Sequence, residues 1–168
     1  MTDIYLAGGC FWGTEHYLKQ IRGVAETTVG FAGGTIKAPT YEQVYTDTTG
    51  HAETVHVRFD EQLLPLRDLI ELYFHSIDPV SLNRQGHDEG TRYRTAIFYT
   101  SEEQLPVIRE VYDSVQAAYG RPLCVEVLPF TAFYAADESH QDYLDKHPDG
   151  YCHLPAEMFA YARAHRSM

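Results

Sequence analysis

The sequence predicts an α+β domain, a two-layer sandwich in which helices pack on one mixed sheet. Three observations carry that expectation. Strand-like and helix-like patterns follow one another in the order β-α-β, β-α-β, helix, strand. The 168 residues, 44% of them apolar, suit one domain with a buried core. No internal repeat, low-complexity tract or linker-like break divides the chain.

Each element has its own signal. "DIYLAG" reads as a short buried strand closed by Gly8 and Gly9, and "CFWGTEHYLKQ" as a helix whose apolar side continues through Leu18 and Ile21. "VAETTVGFA" is a strand ended by Gly33 and Gly34. In "ETVHVRFD", Val55, Val57 and Phe59 alternate with His56 and Arg58, the period of a half-exposed strand. Pro65 opens a helix with Leu66, Leu69, Ile70, Tyr73, Phe74 and Ile77 on one stripe. "TAIFYT" is a strand. Ser101 and Gln104 form a capping-box signal for a helix carrying Leu105, Ile108, Val111, Val115 and Tyr119. "CVEVLPF" is a last strand, and "DESHQDYLDKH" a short helix stopped by Pro148. Two split β-α-β units in this order predict a ferredoxin-like mixed sheet. One domain is expected over 1–168, with its core at about 3–147 and a C-terminal segment at 148–168. The segment from Asp78 to Arg94 has no period, and so long an irregular stretch inside a compact domain marks a functional loop.

Charge and cysteine usage narrow the function. Thirteen basic against twenty-four acidic residues give a net charge of -11, which repels phosphate backbones and anionic lipid. No nucleic-acid or membrane partner is expected. No apolar run is long enough to span a bilayer and the start has no signal-like pattern, so the expected compartment is the cytoplasm. Cys10, Cys124 and Cys152 make no CxxC and no zinc spacing, and they are too sparse for a secreted disulfide scaffold. A functional cysteine here is expected to be catalytic or redox-active.

The stretch "GGCFWGTE" places Cys10 at or beside a helix N-terminus, where free amides and the helix dipole favour a thiolate. A stabilisation of about 2 kcal/mol would bring a thiol of pKa ~8.5 to about 7. The competing reading is a buried cysteine acting as a small hydrophobe. Cys152, after Pro, Asp and Gly in a loop, is a candidate resolving thiol, and Cys124, in a strand, reads as core. Spacing alone leaves open which of them meets Cys10.

The blocks "GGCFWGTE" (Gly8 to Glu15), "GFAGG" (Gly30 to Gly34), "PTYEQV" (Pro39 to Val44), "GHAETV" (Gly50 to Val55), "DPVSLNRQGHDEGTRYR" (Asp78 to Arg94) and "SHQDYLDKHPDGYC" (Ser139 to Cys152) resemble, in order, those of the methionine sulfoxide reductase A family. The resemblance implies that Cys10 attacks the sulfoxide sulfur and that Phe11 and Trp12 form the pocket for the substrate methyl. It implies that Glu53 protonates the sulfoxide oxygen, that Tyr41 and Tyr93 hydrogen-bond near that oxygen, and that Asp88 holds the substrate backbone. Cys152 would be the resolving cysteine. The implied reaction is reduction of methionine-S-sulfoxide, protein-bound or free, to methionine, through a sulfenic acid and a Cys10–Cys152 disulfide recycled by thioredoxin. The partners implied are thioredoxin and oxidised methionine-containing proteins and peptides, with no metal, nucleotide or flavin cofactor.

The chemistry suits these residue types. A sulfoxide oxygen leaves only when protonated, so attack by a thiolate needs a neutral acid close by. Holding Glu53 neutral near pH 7 requires burial among aromatics. Glu15 reads as a carboxylate that hydrogen-bonds the pocket from behind, and the nine histidines show no metal spacing. Phe31 stands where the family pattern has tyrosine, and His87 is an unusual neighbour for Asp88. The tail lacks the glycine-rich ending and further cysteine of some members, which favours direct reduction of a Cys10–Cys152 bridge. A cysteine hydrolase would need a histidine base in a telling block, and a redox-sensing domain would leave the acid and aromatics without use. Nothing calls for an obligate partner, and a monomer is expected.

Overall fold

The computed structural model describes residues 1–166. The chain runs β1 (Thr2–Gly8), α1 (Phe11–Lys19), β2 (Val24–Ala32), α2 (Tyr41–Tyr45), β3 (Ala52–Phe59) and α3 (Leu66–His75). A small hairpin follows, of β4 (Arg84–Gln85) and β5 (Asp88–Glu89), then β6 (Thr95–Tyr99), α4 (Gln104–Tyr119), β7 (Glu126–Pro129), β8 (Phe133–Ala135), α5 (Tyr143–Lys146) and α6 (Ala156–Ala164). Single 3-10 turns cover Thr91–Tyr93 and Glu138–His140.

The main sheet has the order β7-β6-β1-β3-β2-β8. Its middle four strands, β6-β1-β3-β2, pair antiparallel throughout, which is the ferredoxin-like order built by two split β-α-β units. β7 adds parallel to β6 through α4, and β8 adds antiparallel to β2. The sheet is therefore mixed and carries helices, as the element order predicts.

Strand alternation divides the two faces. Ile4 and Leu6 of β1, Val29 and Phe31 of β2, Val55, Val57 and Phe59 of β3 and Ile97 of β6 meet the helices in the principal core. Ala7, Ala32, Ala52, Ala96 and Phe98 form a smaller cluster on the other face, where Tyr5 stacks on Phe130 with ring centroids 4.0 Å apart. Phe130 lies in the short passage from β7 at one edge to β8 at the other, and Phe133, which packs on Tyr5, opens β8. Four extended residue steps reach about 14 Å, whereas five flat strand spacings measure about 24 Å. The connection exists only because the sheet curls.

The stripe on α3 is buried at all six expected positions, and each such large side chain stabilises by about 1.5–3 kcal/mol relative to exposure. Elsewhere the expectations shift. Gln104 makes no capping box: its Oε1 accepts from the Thr100 amide at 2.7 Å and its Nε2 donates to Asp3 O at 3.1 Å, so the helix opens without a side-chain cap. The real capping box is Thr40 with Gln43, which starts α2, an element not read from the sequence. β3 is half-exposed only in its second half, since Glu53 and Thr54 are both buried. The expected helix before Pro148 is broken by Asp142, at φ 52°, into a 3-10 turn and α5. The C-terminal segment folds back as α6, with Ala162 in the core, Phe159 edge-on to His16 and Tyr161 stacked on His75. Residues 167 and 168 of the expected 148–168 segment lie outside the described residues. No helix among the described residues is long and apolar enough to cross a membrane.

Candidate active site

The site grows from the passage between β1 and α1. Gly9, at φ +94°, makes a turn that a side chain would strain, and a Cβ there would also lie 2.9 Å from Gln85 Cβ. Cys10 follows as the N-cap of α1, buried with 6% of its surface exposed. Thr14 Oγ1 braces the turn by donating to Gly8 O at 3.1 Å or Cys10 O at 3.2 Å.

Glu53 lies on the core face of β3, opposite Phe31 of β2, with 1% exposure. Its Oε1 accepts from the Phe11 amide at 3.0 Å, which seats the carboxyl beside the cysteine turn. Burial raises its pKa to about 8 against that hydrogen bond and the Arg92 charge, so the acid is neutral at pH 7. The Cys10 thiol behaves differently from the sequence expectation of about 7. The Trp12 and Gly13 amides do favour the thiolate, but burial, then Glu53 and Asp88, push the thiol well above its usual value. Desolvation outweighs the helix end, because the sulfur has been taken out of water.

Aromatic rings build the surrounding wall. Phe11 packs 5.7 Å from Phe31 and 6.2 Å from Tyr41, centroid to centroid. Trp12 stacks on Tyr143 at 3.7 Å with the planes 8° apart, and its Nε1 donates to His140 Nδ1 at 3.1 Å. His140 in turn stacks on Tyr41 at 4.3 Å. Tyr41, at the start of α2, and Tyr93, in the 3-10 turn before β6, both have hydroxyls raised by burial and by Glu53, Tyr93 to about 12. A cleft of about 500 Å³ lined by Phe31, Tyr41 and Phe133 opens beside this wall.

The irregular loop is tightly fixed. Gln85 is buried and bonds Asp78 through both amide atoms, to its N–H at 2.8 Å and its C=O at 2.9 Å. Asp47 accepts from the Arg92 amide at 2.9 Å and pairs with its guanidinium at 2.5 Å, and that guanidinium lies over the Tyr45 and Tyr93 rings. Asp88 Oδ1 accepts from the Tyr151 hydroxyl at 2.9 Å, while its Oδ2 is buried without a partner. Cys152 reaches α1 from the C-terminal side: a Cβ on Gly13 would stand 3.0 Å from Cys152 Sγ. Both Cys10 and Cys152 are free thiols, as is Cys124 near Val80 O.

The structure thus gathers Cys10, Phe11, Trp12, Tyr41, Glu53, Asp88, Tyr93 and Cys152 around the first turn of α1. Glu15 is buried behind it, accepting from Thr27 Oγ1 at 2.8 Å and the Asp142 amide at 2.8 Å, which ties α1 to β2 and to the turn carrying His140 and Tyr143. His140, Tyr143 and His153 were not among the expected residues. A search for metal spacing passes over histidines that stack or accept single hydrogen bonds, and adjacency to Cys152 was the one available signal for His153.

The family model for peptide methionine sulfoxide reductase matches residues 2–167. The chain belongs to the peptide methionine sulfoxide reductase family. It is 52% identical over 158 residues to the peptide methionine sulfoxide reductase MsrA of Clostridium acetobutylicum, covering 94% of this chain and 98% of the relative. A crystal structure of Mxr1 from Saccharomyces cerevisiae in reduced form superposes with a TM-score of 0.85 at 34% identity, over 90% of this chain and 89% of that one. Mxr1 in complex with Trx2 gives 0.59 at 25% identity, over 84% and 85%. This reductase therefore acts on methionine sulfoxide, and its mixed curled sheet is the one its structural neighbours share. Among the described residues, no cluster of His, Cys, Asp and Glu is placed to hold a metal ion.

Proposed function

We propose that Cys10 takes the oxygen atom from methionine-S-sulfoxide with Glu53 as the acid, and that Cys152 then closes a disulfide with Cys10. The observation that carries this reading is a neutral, buried carboxyl hydrogen-bonded to the amide next to the nucleophile. Glu53 gives its proton to the sulfoxide oxygen while the Cys10 sulfur attacks the sulfoxide sulfur. The proton lost by Cys10 restores the Glu53 acid, the substrate leaves as a thioether, and Cys10 becomes a sulfenic acid. Because thiolate and carboxylate repel each other, Glu53 must stay protonated until the oxygen accepts from it.

Phe11 and Trp12 offer an apolar seat for the substrate methyl, Tyr41 and Tyr93 hydroxyls hydrogen-bond at the oxygen, and Asp88 Oδ2 is free to accept from the substrate backbone. Cys152 attacks the sulfenic acid, releasing water and forming the disulfide. The Trx2 complex of the structural neighbour supports a thioredoxin as the dithiol that reopens it. A hollow of about 420 Å³ lined by His16, Leu144, Pro148, Cys152 and Phe159 would give such a reductant access to the resolving sulfur. No resident cofactor is used in this scheme, and the acidic surface suits a protein that works as a monomer in the cytoplasm on proteins and peptides.

The test follows sulfide formation from an S-epimer methyl sulfoxide with dithiol. Cys10→Ser should abolish turnover. Cys152→Ser should release one equivalent of methionine and lose thioredoxin-driven cycling. Unimpaired cycling would remove Cys152 from its role, and full activity in Glu53→Gln would remove the acid.

A further inference from the structure

His153 follows Cys152 in the chain and packs against the glycine turn that carries Cys10. Its Nε2 lies 3.1 Å from Gly8 O, and a carbonyl can only accept, so the ring proton sits on Nε2. In the neutral ring Nδ1 then holds a lone pair, and Nδ1 is buried with no partner. Gly13 is where the two side chains come together: a Cβ there would meet both His153 Nδ1 and Cys152 Sγ at 3.0 Å. The two atoms are therefore neighbours on one side of the first turn of α1. The ring is clamped on its other sides, 3.0 Å from the Cβ position of Gly9 and with its own Cβ 3.7 Å from that of Gly86.

Cys152 needs a base. A thiol attacks a sulfenic acid only after losing its proton. Burial and Asp88 raise the Cys152 thiol, and only the Leu154 amide, 3.4 Å from the sulfur, works the other way. The titratable groups around His153 are Asp88 on β5, itself bonded by Tyr151, and Cys152 on its own segment. Asp88 is engaged by the Tyr151 hydroxyl and is given above to the substrate backbone, whereas the imidazole, which burial keeps neutral, has its unpartnered Nδ1 beside Cys152 Sγ at Gly13.

We propose that His153 is the general base of the resolving step, taking the proton of Cys152 on Nδ1 as the Cys10–Cys152 disulfide forms. The Cys152 sulfur pair makes the S–S bond and the S–O bond of the Cys10 sulfenic acid breaks. The departing hydroxide takes the proton back from the imidazolium, so one water leaves and His153 ends neutral. Cys10 sulfur is reduced from the sulfenic to the disulfide level while Cys152 is oxidised to it, and no outside reactant is required.

The proposal rests on the roles given above to Cys10 and Cys152, and single-turnover kinetics separates the two. The protein, its His153→Ala variant and its His153→Gln variant are mixed with one equivalent of free methionine sulfoxide between pH 5 and 9. Methionine release reports the first step, and loss of titratable thiols reports the second. Both variants should form the disulfide about 10²-fold more slowly or worse, so that sulfenic acid accumulates on Cys10 and is trapped by dimedone. Their disulfide rate should rise about tenfold per pH unit, as a thiol without a base requires, while that of the parent levels off above the imidazole pKa. Gln keeps an N–H for Gly8 O but has no base. Restoration of the rate by Gln, an unchanged rate in Ala, or a variant pH profile like the parent's overturns the proposal alone. Absence of any Cys10–Cys152 disulfide in the parent overturns it together with the reading beneath it.

Discussion

Burial of the Glu53 carboxyl on the core face of β3 costs folded stability at neutral pH, and that cost is what keeps the acid protonated. The folded pKa of about 8 lies above the ordinary 4.5. Below pH 4.5 the group is neutral in both states and its contribution is fully present. Between 4.5 and 8 only the unfolded chain ionises, and stability falls by about 1.4 kcal/mol per pH unit, levelling above 8. Glu53→Gln retains an acceptor for the Phe11 amide and does not titrate. It should therefore gain on the parent by about 3 kcal/mol between pH 4 and pH 7 while its sulfoxide-reduction step slows about 10²- to 10⁴-fold. Urea unfolding of both proteins at the two pH values checks the first claim, and an equal gap at pH 4 and 7 would refute it. If Glu53 is the acid proposed above, the parent's reduction step should decline as pH rises through about 8, where the carboxyl loses its proton.

At the scale of elements, α1 organises the site, and its third residue shows why a glycine is tolerated there. Ala normally stabilises a helix interior by about 1 kcal/mol over Gly. At Gly13 an added Cβ would meet Cys152 and His153 at 3.0 Å, a contact that a small shift of the C-terminal segment would relieve. Gly13→Ala should thus leave stability within about 1 kcal/mol of the parent, yet slow disulfide formation at least tenfold in a thiol-loss assay. Unaltered disulfide kinetics would show that Cys152 does not need that approach. The same scale explains what could be read in advance. The apolar stripes of α3 and the four central strands were legible because periodicity reports burial directly. Extending the alternation of Val55 and Val57 back two residues would also have put Glu53 on the core face. α2, β8 and α6 escaped because they are short or weakly amphipathic and exist through tertiary contacts, such as Phe31 pairing with Tyr134 or Ala162 in the core. The sequence puts Cys10 at the head of a helix, where the structure has it, but not its raised thiol pKa, since a helix end is visible in sequence and the depth of burial is not.

Across the whole molecule, the buried phenols set how the fold meets alkali. Tyr73 is fully buried at the centre of the core, its hydroxyl donating to Ala7 O at 2.6 Å, and Tyr17 donates to Leu72 O at 2.6 Å. Burial raises both pKa values well above the ordinary 10, with Cys10 raised above its own usual value alongside them. A group raised on folding contributes stability that is whole below its unfolded pKa and is lost as pH climbs beyond it. Each phenol then removes about 1.4 kcal/mol per pH unit above 10, and a chain already at net charge -11 becomes still more self-repelling. The melting temperature should accordingly fall steeply above pH 10. Tyr73→Phe keeps the ring and drops the ionisable group, so it should cost about 1 kcal/mol at pH 7 for the lost hydrogen bond and lose stability more slowly in alkali. The two stability curves, followed by thermal unfolding from pH 7 to 11, should converge above pH 10. Curves that stay parallel would mean the Tyr73 hydroxyl does not govern the alkaline limit.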